Sequence, residues 1–254
     1  MHYFIANWKS NKTLLEIHEW LEAFELQLST RKYSDQTRVV LAVPFPFLIE
    51  AAAWLKMWQE KYSSGLVPVQ IELAAQDVSQ FPAGSYTGAV NALQLQGLGV
   101  KYVIMGHSER RRYFHESSRE IAAKVVQTLA AQMTPIICVD EQYIEEQAIE
   151  LKLEVQFSDM QKCLVTYEEL AAIGTGQNTS PQDYAKAKEQ ILQAFGDVVV
   201  MYGGSVNSQN IREYVGSFDG GDVTPGTQSA DGVLVGTASL DVLDFIAVLD
   251  RAQN

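Results

Sequence analysis

Eight short runs of β-branched and other apolar residues recur along this chain at a nearly regular interval. They occupy residues 3–7, 38–43, 69–74, 102–105, 135–139, 163–167, 198–202 and 232–235. Successive runs start roughly 30 residues apart, about the length of one strand with its following helix. Strands that alternate with helices form parallel sheets, and eight such units close most economically into a barrel. The sequence therefore predicts an α/β fold in which residues 1–254 form a single domain, an eight-stranded parallel (β/α) barrel of the TIM-barrel type.

Helical patterns fill the intervals between the predicted strands. One apolar stripe with helical spacing can pack against a sheet and consists of Ile17, Trp20, Leu21, Phe24 and Leu28. Another helix is expected to begin at Ser180-Pro181, because Ser caps helices well and Pro is tolerated in the first turn. The polar, glycine-rich residues 216–230 are expected to form a surface loop before the last strand, on the face opposite the active site.

The charge balance restricts the classes of partner. Lys and Arg number 19 and Asp and Glu number 31, which gives a net charge of −12. This surplus of negative charge argues against nucleic acid and anionic membranes as partners. A small anionic substrate remains compatible, because a local site can oppose the overall charge.

The N-terminus and the cysteines indicate a cytoplasmic protein. Residues 1–6 lack the basic start and apolar run of a signal peptide. The most apolar stretch, residues 39–49, is short and contains two prolines, so we do not expect it to span a membrane. Cys138 and Cys163 both fall in predicted buried strands, where a reduced state is the simple interpretation.

Three chemically active side chains follow predicted strands at the end where parallel barrels place catalysis. Lys9, with Asn7 beside it, follows the first strand and can supply positive charge to a phosphate or an enolate. His107 follows the fourth strand and can donate a proton or a hydrogen bond to a substrate oxygen. Glu168 follows the sixth strand and is the candidate general base. Taken singly, each has an ordinary alternative: a solvated lysine, a packed or capping histidine, and a helix-capping carboxylate.

Glycine-rich segments in the last three units suit an anion. Residues 173–176 read Ile-Gly-Thr-Gly and come soon after Glu168, so their backbone amides can approach an anion closely. Tyr-Gly-Gly-Ser at 202–205 and Gly-Thr-Ala-Ser at 236–239 follow the seventh and eighth strands, where barrels commonly build a phosphate site. Either turn alone is also compatible with a simple tight turn, but together they predict phosphate binding.

On these motifs the chain resembles the triosephosphate isomerase family along nearly its whole length. The matching segments lie, in order, at residues 6–9, 75–77, 84–88, 106–111, 167–176, 202–206 and 235–240. The block Gly-His-Ser-Glu-Arg-Arg, together with the strand-end glutamate and Ile-Gly-Thr-Gly, is highly specific. The resemblance implies interconversion of dihydroxyacetone phosphate and glyceraldehyde 3-phosphate, without a metal or an organic cofactor.

The resemblance also implies a role for each matching residue. Glu168 would remove a carbon-bound proton, neutral His107 would polarise the carbonyl, and Glu109 would support Lys9. The implied catalytic set is Asn7, Lys9, His107, Glu109 and Glu168. The implied binding set for the small phosphorylated triose is Asn7, Lys9, Gly174, Ser205, Gly236 and Thr237. The implied lid over the substrate comprises Glu169, Leu170, Ala171, Ala172, Ile173, Gly174, Thr175 and Gly176.

The chain departs from the family at the entry to this lid. The catalytic glutamate is usually followed by Pro-Val-Trp, whereas this chain has Glu169-Leu170-Ala171. Losing the proline frees one φ angle, an effect of roughly 0.4–1 kcal/mol, which corresponds to about a few-fold in rate. The departure therefore predicts slower turnover or greater leakage of methylglyoxal rather than loss of activity.

Other departures lie near the loop around Thr87 that, in the family, joins a homodimer. Asp77 replaces a usual Asn and Ala89 a usual Glu, so Arg110 is expected to lack its usual carboxylate partner. The loop itself is retained, so a homodimer is still expected, and the substitutions allow it to be weaker or pH-sensitive. Smaller differences are Asp140 where Gly is common and Thr237 for a second Gly.

Two other functions stay open on the sequence. The first is an isomerase of the same family that acts on another short phosphosugar, such as a tetrulose phosphate. The second is a lapsed enzyme that serves as a binding or scaffold protein. Retention of the implied catalytic set argues against the second, because a scaffold does not need these residues.

Overall fold

A computed structural model describes residues 1–63, 68–168, 180–215 and 229–253. Its eight strands form one closed barrel whose order follows the chain, and hydrogen-bonded neighbours run parallel. The strands are β1 (His2–Asn7), β2 (Thr37–Val43), β3 (Gln70–Ala75), β4 (Tyr102–Met105), β5 (Thr134–Val139), β6 (Leu164–Tyr167), β7 (Val199–Tyr202) and β8 (Gly232–Val235). Each begins and ends within one residue of its predicted run, so the predicted barrel is confirmed. That all 254 residues form one domain stays a prediction.

Helices and short 3₁₀ turns connect the strands. The helices are α1 (Leu14–Leu28), α2 (Leu48–Lys61), α3 (Ala92–Gly97), α4 (Ser108–Phe114), α5 (Ser118–Ala130), α6 (Ile144–Glu154), α7 (Phe157–Met160), α8 (Pro181–Phe195), α9 (Ile211–Tyr214) and α10 (Val242–Gln253). The 3₁₀ turns lie at Phe45–Phe47 and Thr237–Ser239. Among the helices described, none is both long and apolar enough to cross a membrane.

The apolar stripe of α1 packs as its spacing predicts, since all five of its residues are buried. The ring centroid of Trp20 lies 4.7 Å from that of Phe24 and 6.2 Å from that of Phe245 in α10. Burying a side chain of this size stabilises the fold by roughly 1.5–3 kcal/mol. The stripe thus joins the first and last helices of the chain against the sheet.

Helix α8 begins where the sequence predicts. Ser180 is its N-cap and accepts a hydrogen bond from the Asp183 amide, while Pro181 occupies the first turn. The expected polar loop at 216–230 falls mostly outside the described residues, as does the whole predicted lid, Glu169–Gly176.

The inside of the barrel is filled by side chains. They include the buried residues Ile5, Val40, Ala42, Ala74, Tyr102, Ile104, Ile136, Cys138, Leu164, Met201 and Leu234. Cys138 and Cys163 are buried free thiols, as predicted. Closure between β1 and β8 requires Gly232, because a Cβ there would lie 2.3 Å from the Tyr3 carbonyl oxygen. With its interior packed, the barrel offers reactive groups only at its ends.

Candidate active site

The carboxyl ends of β1, β4 and β6 bring together the three predicted reactive side chains. Lys9, His107 and Glu168 line one pocket of about 320 Å³, a volume at the lower end of the range for small-molecule sites. The turns after β7 and β8 complete the wall of this pocket with residues that include Ser205, Gly236 and Thr237. Residues from five strand ends, distant in sequence, therefore converge on one pocket.

Glu168 is a buried carboxylate with its two oxygens in different environments. Oε2 accepts a hydrogen bond of 2.7 Å from the Ser108 amide at the start of α4. Oε1 lies 2.9 Å from Nε2 of His107, and no well-aligned hydrogen-bond donor reaches it within the described parts of the chain. The backbone of Glu168 is anchored to the Val139 carbonyl at 2.7 Å. One oxygen is thus held by the backbone while the other is left for proton transfer.

His107 is buried and caps α4. Its Nδ1 accepts a hydrogen bond of 3.3 Å from the Glu109 amide, so that nitrogen carries a lone pair and Nε2 carries the proton facing Glu168. Burial lowers the pKa of His107, but its close contact with the charge of Glu168, together with the charge of Glu109, outweighs burial and makes the net shift upward. The upward shift stems mainly from the carboxylate that touches the imidazole.

Lys9 lines the same pocket as this pair and is held by its neighbours. Its Nζ lies 2.8 Å from Glu109 Oε1, and its backbone amide donates to Asn7 Oδ1 at 3.0 Å. Lys9 has a φ of 51°, uncommon for a residue with a side chain and typical of functional positions. Glu109 contacts Lys9 in the way that the resemblance implies. Asn7 supports the Lys9 turn from a buried position, and its contact with substrate stays a prediction.

The turns on the predicted phosphate side are shaped by glycine. A Cβ on Gly203 would lie 2.6 Å from Thr166 Cγ2 and 3.3 Å from Glu168 Cγ, so only glycine lets this turn pass so close to the base. A Cβ on Gly236 would lie 3.3 Å from Lys9 Cε. Of the predicted phosphate-binding residues, Gly174 lies outside the described residues, as does the lid.

Several residues of the site were not singled out from the sequence. The Ser108 amide holds Glu168, and Asn207 and Asp244 line the pocket. Ser108 belongs to the Gly-His-Ser-Glu-Arg-Arg block, so its place in that motif is a signal that could have found it. No local pattern marks Asn207 or Asp244, because their place depends on how the last two units fold back onto the barrel.

Arg110, which was expected to lack its usual carboxylate partner, contacts two carboxylates of the same chain. Its Nη2 lies 2.8 Å from Asp77 Oδ2, and its Nε lies 3.3 Å from Glu116 Oε1. The substituted Asp77 therefore supplies within the same chain the negative charge that Ala89 does not. Thr87, at the predicted dimer loop, is exposed.

The fold and the site define a class of protein: a parallel-barrel enzyme that moves protons on a small anionic substrate. A carboxylate and an imidazole share one pocket with a lysine and glycine-rich turns. These are the groups that an isomerase needs for proton transfer and for stabilising negative charge. A family model described as triosephosphate isomerase matches residues 2–252, and the chain belongs to this family.

Named relatives agree with this assignment. The triosephosphate isomerase of Mesomycoplasma hyopneumoniae (strain 7448) is 35% identical over 96% of this chain and 97% of its own length. That of Mesomycoplasma hyorhinis is 35% identical over 96% of both chains. That of Paracidovorax citrulli (strain AAC00-1) is 34% identical over 97% of this chain and 96% of its own length. The predicted family, fold and isomerase class are thereby confirmed.

Proposed function

We propose that the chain interconverts dihydroxyacetone phosphate and glyceraldehyde 3-phosphate by moving one proton through an enediolate. The observation that carries this proposal is the pair formed by Glu168 Oε1 and His107 Nε2, 2.9 Å apart in a pocket that also contains Lys9. A base for carbon and a hydrogen-bond donor for oxygen are the two groups that such an exchange requires.

Glu168 carries the proton between the two carbons. Its free oxygen takes the proton from carbon 1 of dihydroxyacetone phosphate, and the C–H electron pair forms the carbon–carbon double bond of the enediolate. The same carboxyl then returns a proton to carbon 2, while the proton on oxygen 1 passes to oxygen 2 with the help of His107, which gives glyceraldehyde 3-phosphate. The Ser108 amide supports this step because it holds the other oxygen at 2.7 Å and fixes the direction of the base.

His107 acts on the substrate oxygens as a neutral imidazole. The lone pair on Nδ1 is taken by the Glu109 amide, so Nε2–H is the group that faces the pocket. The pKa of His107 is raised while Glu168 touches it. A substrate that lies between the two side chains separates them and removes the main cause of that rise. The neutral form then donates its hydrogen bond to the developing oxyanion.

Lys9 and the glycine-rich turns stabilise the negative charges of the substrate. Lys9, supported by Asn7 and Glu109, stabilises the enediolate, and electrostatic stabilisation of this kind is usually the largest part of catalysis. Ser205 with the amides of Gly236 and Thr237 holds the phosphate, joined by Gly174 from the lid. The lid excludes water, because an exposed enediolate can eliminate its phosphate. The mechanism uses no metal and no organic cofactor.

A coupled assay with both triose phosphates tests this function. We expect conversion in both directions to the same equilibrium mixture, with three-carbon phosphates preferred over tetrulose phosphates. An undetectable rate with both triose phosphates would contradict the proposal. If such an inactive protein still bound phosphoglycolate, it would be a binding protein of the same fold.

We also propose a homodimer formed through the loop around Thr87. Residues 81–89 are exposed, and the ring of Tyr86 stacks on that of Phe81 at 4.3 Å, which gives the loop an apolar tip. Phe114, in the neighbouring α4, is 67% exposed and adds apolar surface. Sedimentation at micromolar concentration should show a dimer that Thr87→Arg weakens. A wild-type protein that sediments only as a monomer would contradict this.

A cytoplasmic location is our proposal from the cysteines. Cys138 and Cys163 are buried free thiols, which suits a reducing compartment. Cell fractionation should place the protein with soluble cytoplasmic markers, and recovery with a membrane or secreted fraction would contradict this.

A further inference from the structure

Four charged side chains form a cluster beside the turn that carries His107. Asp77 follows β3, Arg110 belongs to α4, Glu116 lies between α4 and α5, and Lys124 belongs to α5. The side chains of Glu116 and Lys124 are 4% and 8% exposed, and that of Asp77 is 15% exposed. We call these four residues the Asp77 cluster. Charges buried to this extent must be paired to be tolerated.

Within the Asp77 cluster each cation lies between the two carboxylates. Lys124 Nζ donates to Asp77 Oδ1 at 2.6 Å and also to Glu116 Oε1 in a short contact. Arg110 contacts Asp77 through Nη2 at 2.8 Å and Glu116 through Nε at 3.3 Å. Two positive and two negative charges therefore balance, and both cations depend on Asp77 for half of their pairing.

The remaining oxygen of Glu116 connects the Asp77 cluster to the active site. Glu116 Oε2 accepts a hydrogen bond of 3.1 Å from the Gly106 amide, and the Gly106 carbonyl accepts one of 3.0 Å from Arg111 Nε. Gly106 has a φ of 69°, and a Cβ there would lie 2.9 Å from Ile121 Cδ1. Gly106 is thus held through both its amide and its carbonyl, and His107 is the next residue.

We propose that Asp77 is a positioning residue for the catalytic pair, which it governs through Glu116 and the Gly106 turn. Without the Asp77 charge, Arg110 and Lys124 would depend on Glu116 alone and would draw both of its oxygens away from the Gly106 amide. The turn would then relax, and with it the His107 imidazole and the Ser108 amide that holds Glu168. The proposal rests on the isomerase function above and adds a residue to that same site.

The charges around Asp77 also provide a readout in the intact protein. Burial raises the pKa of the Asp77 carboxyl and Glu116 adds to this, whereas Lys124 and Arg110 oppose it, with a net upward shift. Glu120 of α5 lines the same hollow. Asp77 therefore takes up a proton at a higher pH than an exposed aspartate does, and this neutralisation imitates the loss of its charge.

The variant Asp77→Asn tests the proposal, with Asp231→Asn as the matched control. Asp231 pairs with Lys188 at 3.1 Å just before β8, at the opposite end of the barrel. We expect Asp77→Asn to lower kcat about tenfold, the scale of a small misplacement of catalytic groups. KM should stay within about twofold, since no phosphate contact changes, and the imidazole nitrogen resonances of His107 should shift. The control variant should leave kcat, KM and the His107 resonances unchanged.

Other outcomes would overturn the proposal. For an Asp77→Asn variant that sediments like the wild type, one such outcome is a kcat within twofold of the wild-type value. The other is a raised KM with unshifted His107 resonances. If the variant does not fold, the wild type provides the test. The resonances of His107 should then show an inflection at the pH where the labelled Asp77 carboxyl titrates. The absence of this inflection would overturn the proposal. If the wild type lacked isomerase activity but His107 still shifted, the proposed function alone would fail.

Discussion

The two sides of the pocket are built on different principles. Glu168 and His107 are 2% and 5% exposed, and backbone amides of α4 hold one atom of each. On the phosphate side, Gly236 is half-buried and Thr237 exposed, and the turn is maintained by internal bonds such as that from Ser239 Oγ to the Gly236 carbonyl. The first side depends on the identity of its side chains, whereas the second depends on the shape of its backbone.

The largest effect should come from the buried pair. Glu168→Gln keeps the shape of the side chain, and its carbonyl can still accept the Ser108 amide, but it removes the base. We expect kcat to fall by about 10²–10⁴, with phosphoglycolate affinity within about tenfold of wild type by calorimetry. Glu189→Gln, on the exposed surface of α8, is the control. A Glu168→Gln variant with near-normal kcat would show that the identity of this side chain does not matter.

Lys9 lines the pocket together with both the Glu168–His107 side and the phosphate side. Removing its charge therefore tests whether that charge acts on both the enediolate and the phosphate. Lys9→Met should lower kcat by about 10²–10³, the loss typical of one group that stabilises an oxyanion. It should also raise KM, because Lys9 lies against Gly236 on the phosphate side. Steady-state kinetics separate the two effects, with exposed Lys186→Met as the control. A change in KM alone would assign Lys9 to the phosphate side only.

The backbone side is tested by adding a methyl group to a turn. Gly203→Ala places a Cβ 2.6 Å from Thr166 Cγ2, and overpacking of this kind costs about 1–3 kcal/mol. Thermal unfolding should occur at a lower temperature by roughly 2–4 °C for each kcal/mol. Gly97→Ala is the control, because nothing lies within 4 Å of its Cβ. Equal unfolding temperatures for both variants would contradict the steric role of Gly203.

The smallest effect is expected at the atypical entry to the lid. Glu169→Pro, Leu170→Val and Ala171→Trp together restore the usual family triplet. Because the entropic effect is roughly 0.4–1 kcal/mol, turnover should rise by no more than about a few-fold. The ratio of methylglyoxal to isomerised product, measured by chromatography, should fall. An unchanged ratio would mean that this triplet does not control leakage.

Much of the fold and part of the site could be predicted because their signals are local. The apolar runs of β1–β8 and the stripe of α1 follow the periods of strand and helix, and Ser180 carries its own capping chemistry. Lys9, His107 and Glu168 were found because each lies within two residues of the end of a strand, where the barrel places its reactive groups.

The pairing of charges could not be predicted in this way. Arg110 was expected to lack its usual carboxylate partner, and nothing in the sequence indicated that Asp77, from the loop after β3, contacts it. Ser108 and Glu168 meet through a hydrogen bond between residues 60 positions apart. Such contacts depend on where adjacent loops come to lie once the barrel has closed, and no short-range period records that distance.

The sequence by itself determined the eight repeating units, the positions of the reactive side chains at strand ends, and the family to which the chain belongs. Only the tertiary structure decided which oxygen of Glu168 is free, which nitrogen of His107 faces it, and that Asp77 completes the charges around Arg110. The physical reason is the distance along the chain over which each kind of interaction acts. Secondary structure follows from hydrophobic patterns over a few residues, whereas the direction of a catalytic atom depends on hydrogen bonds and packing from several distant loops at once.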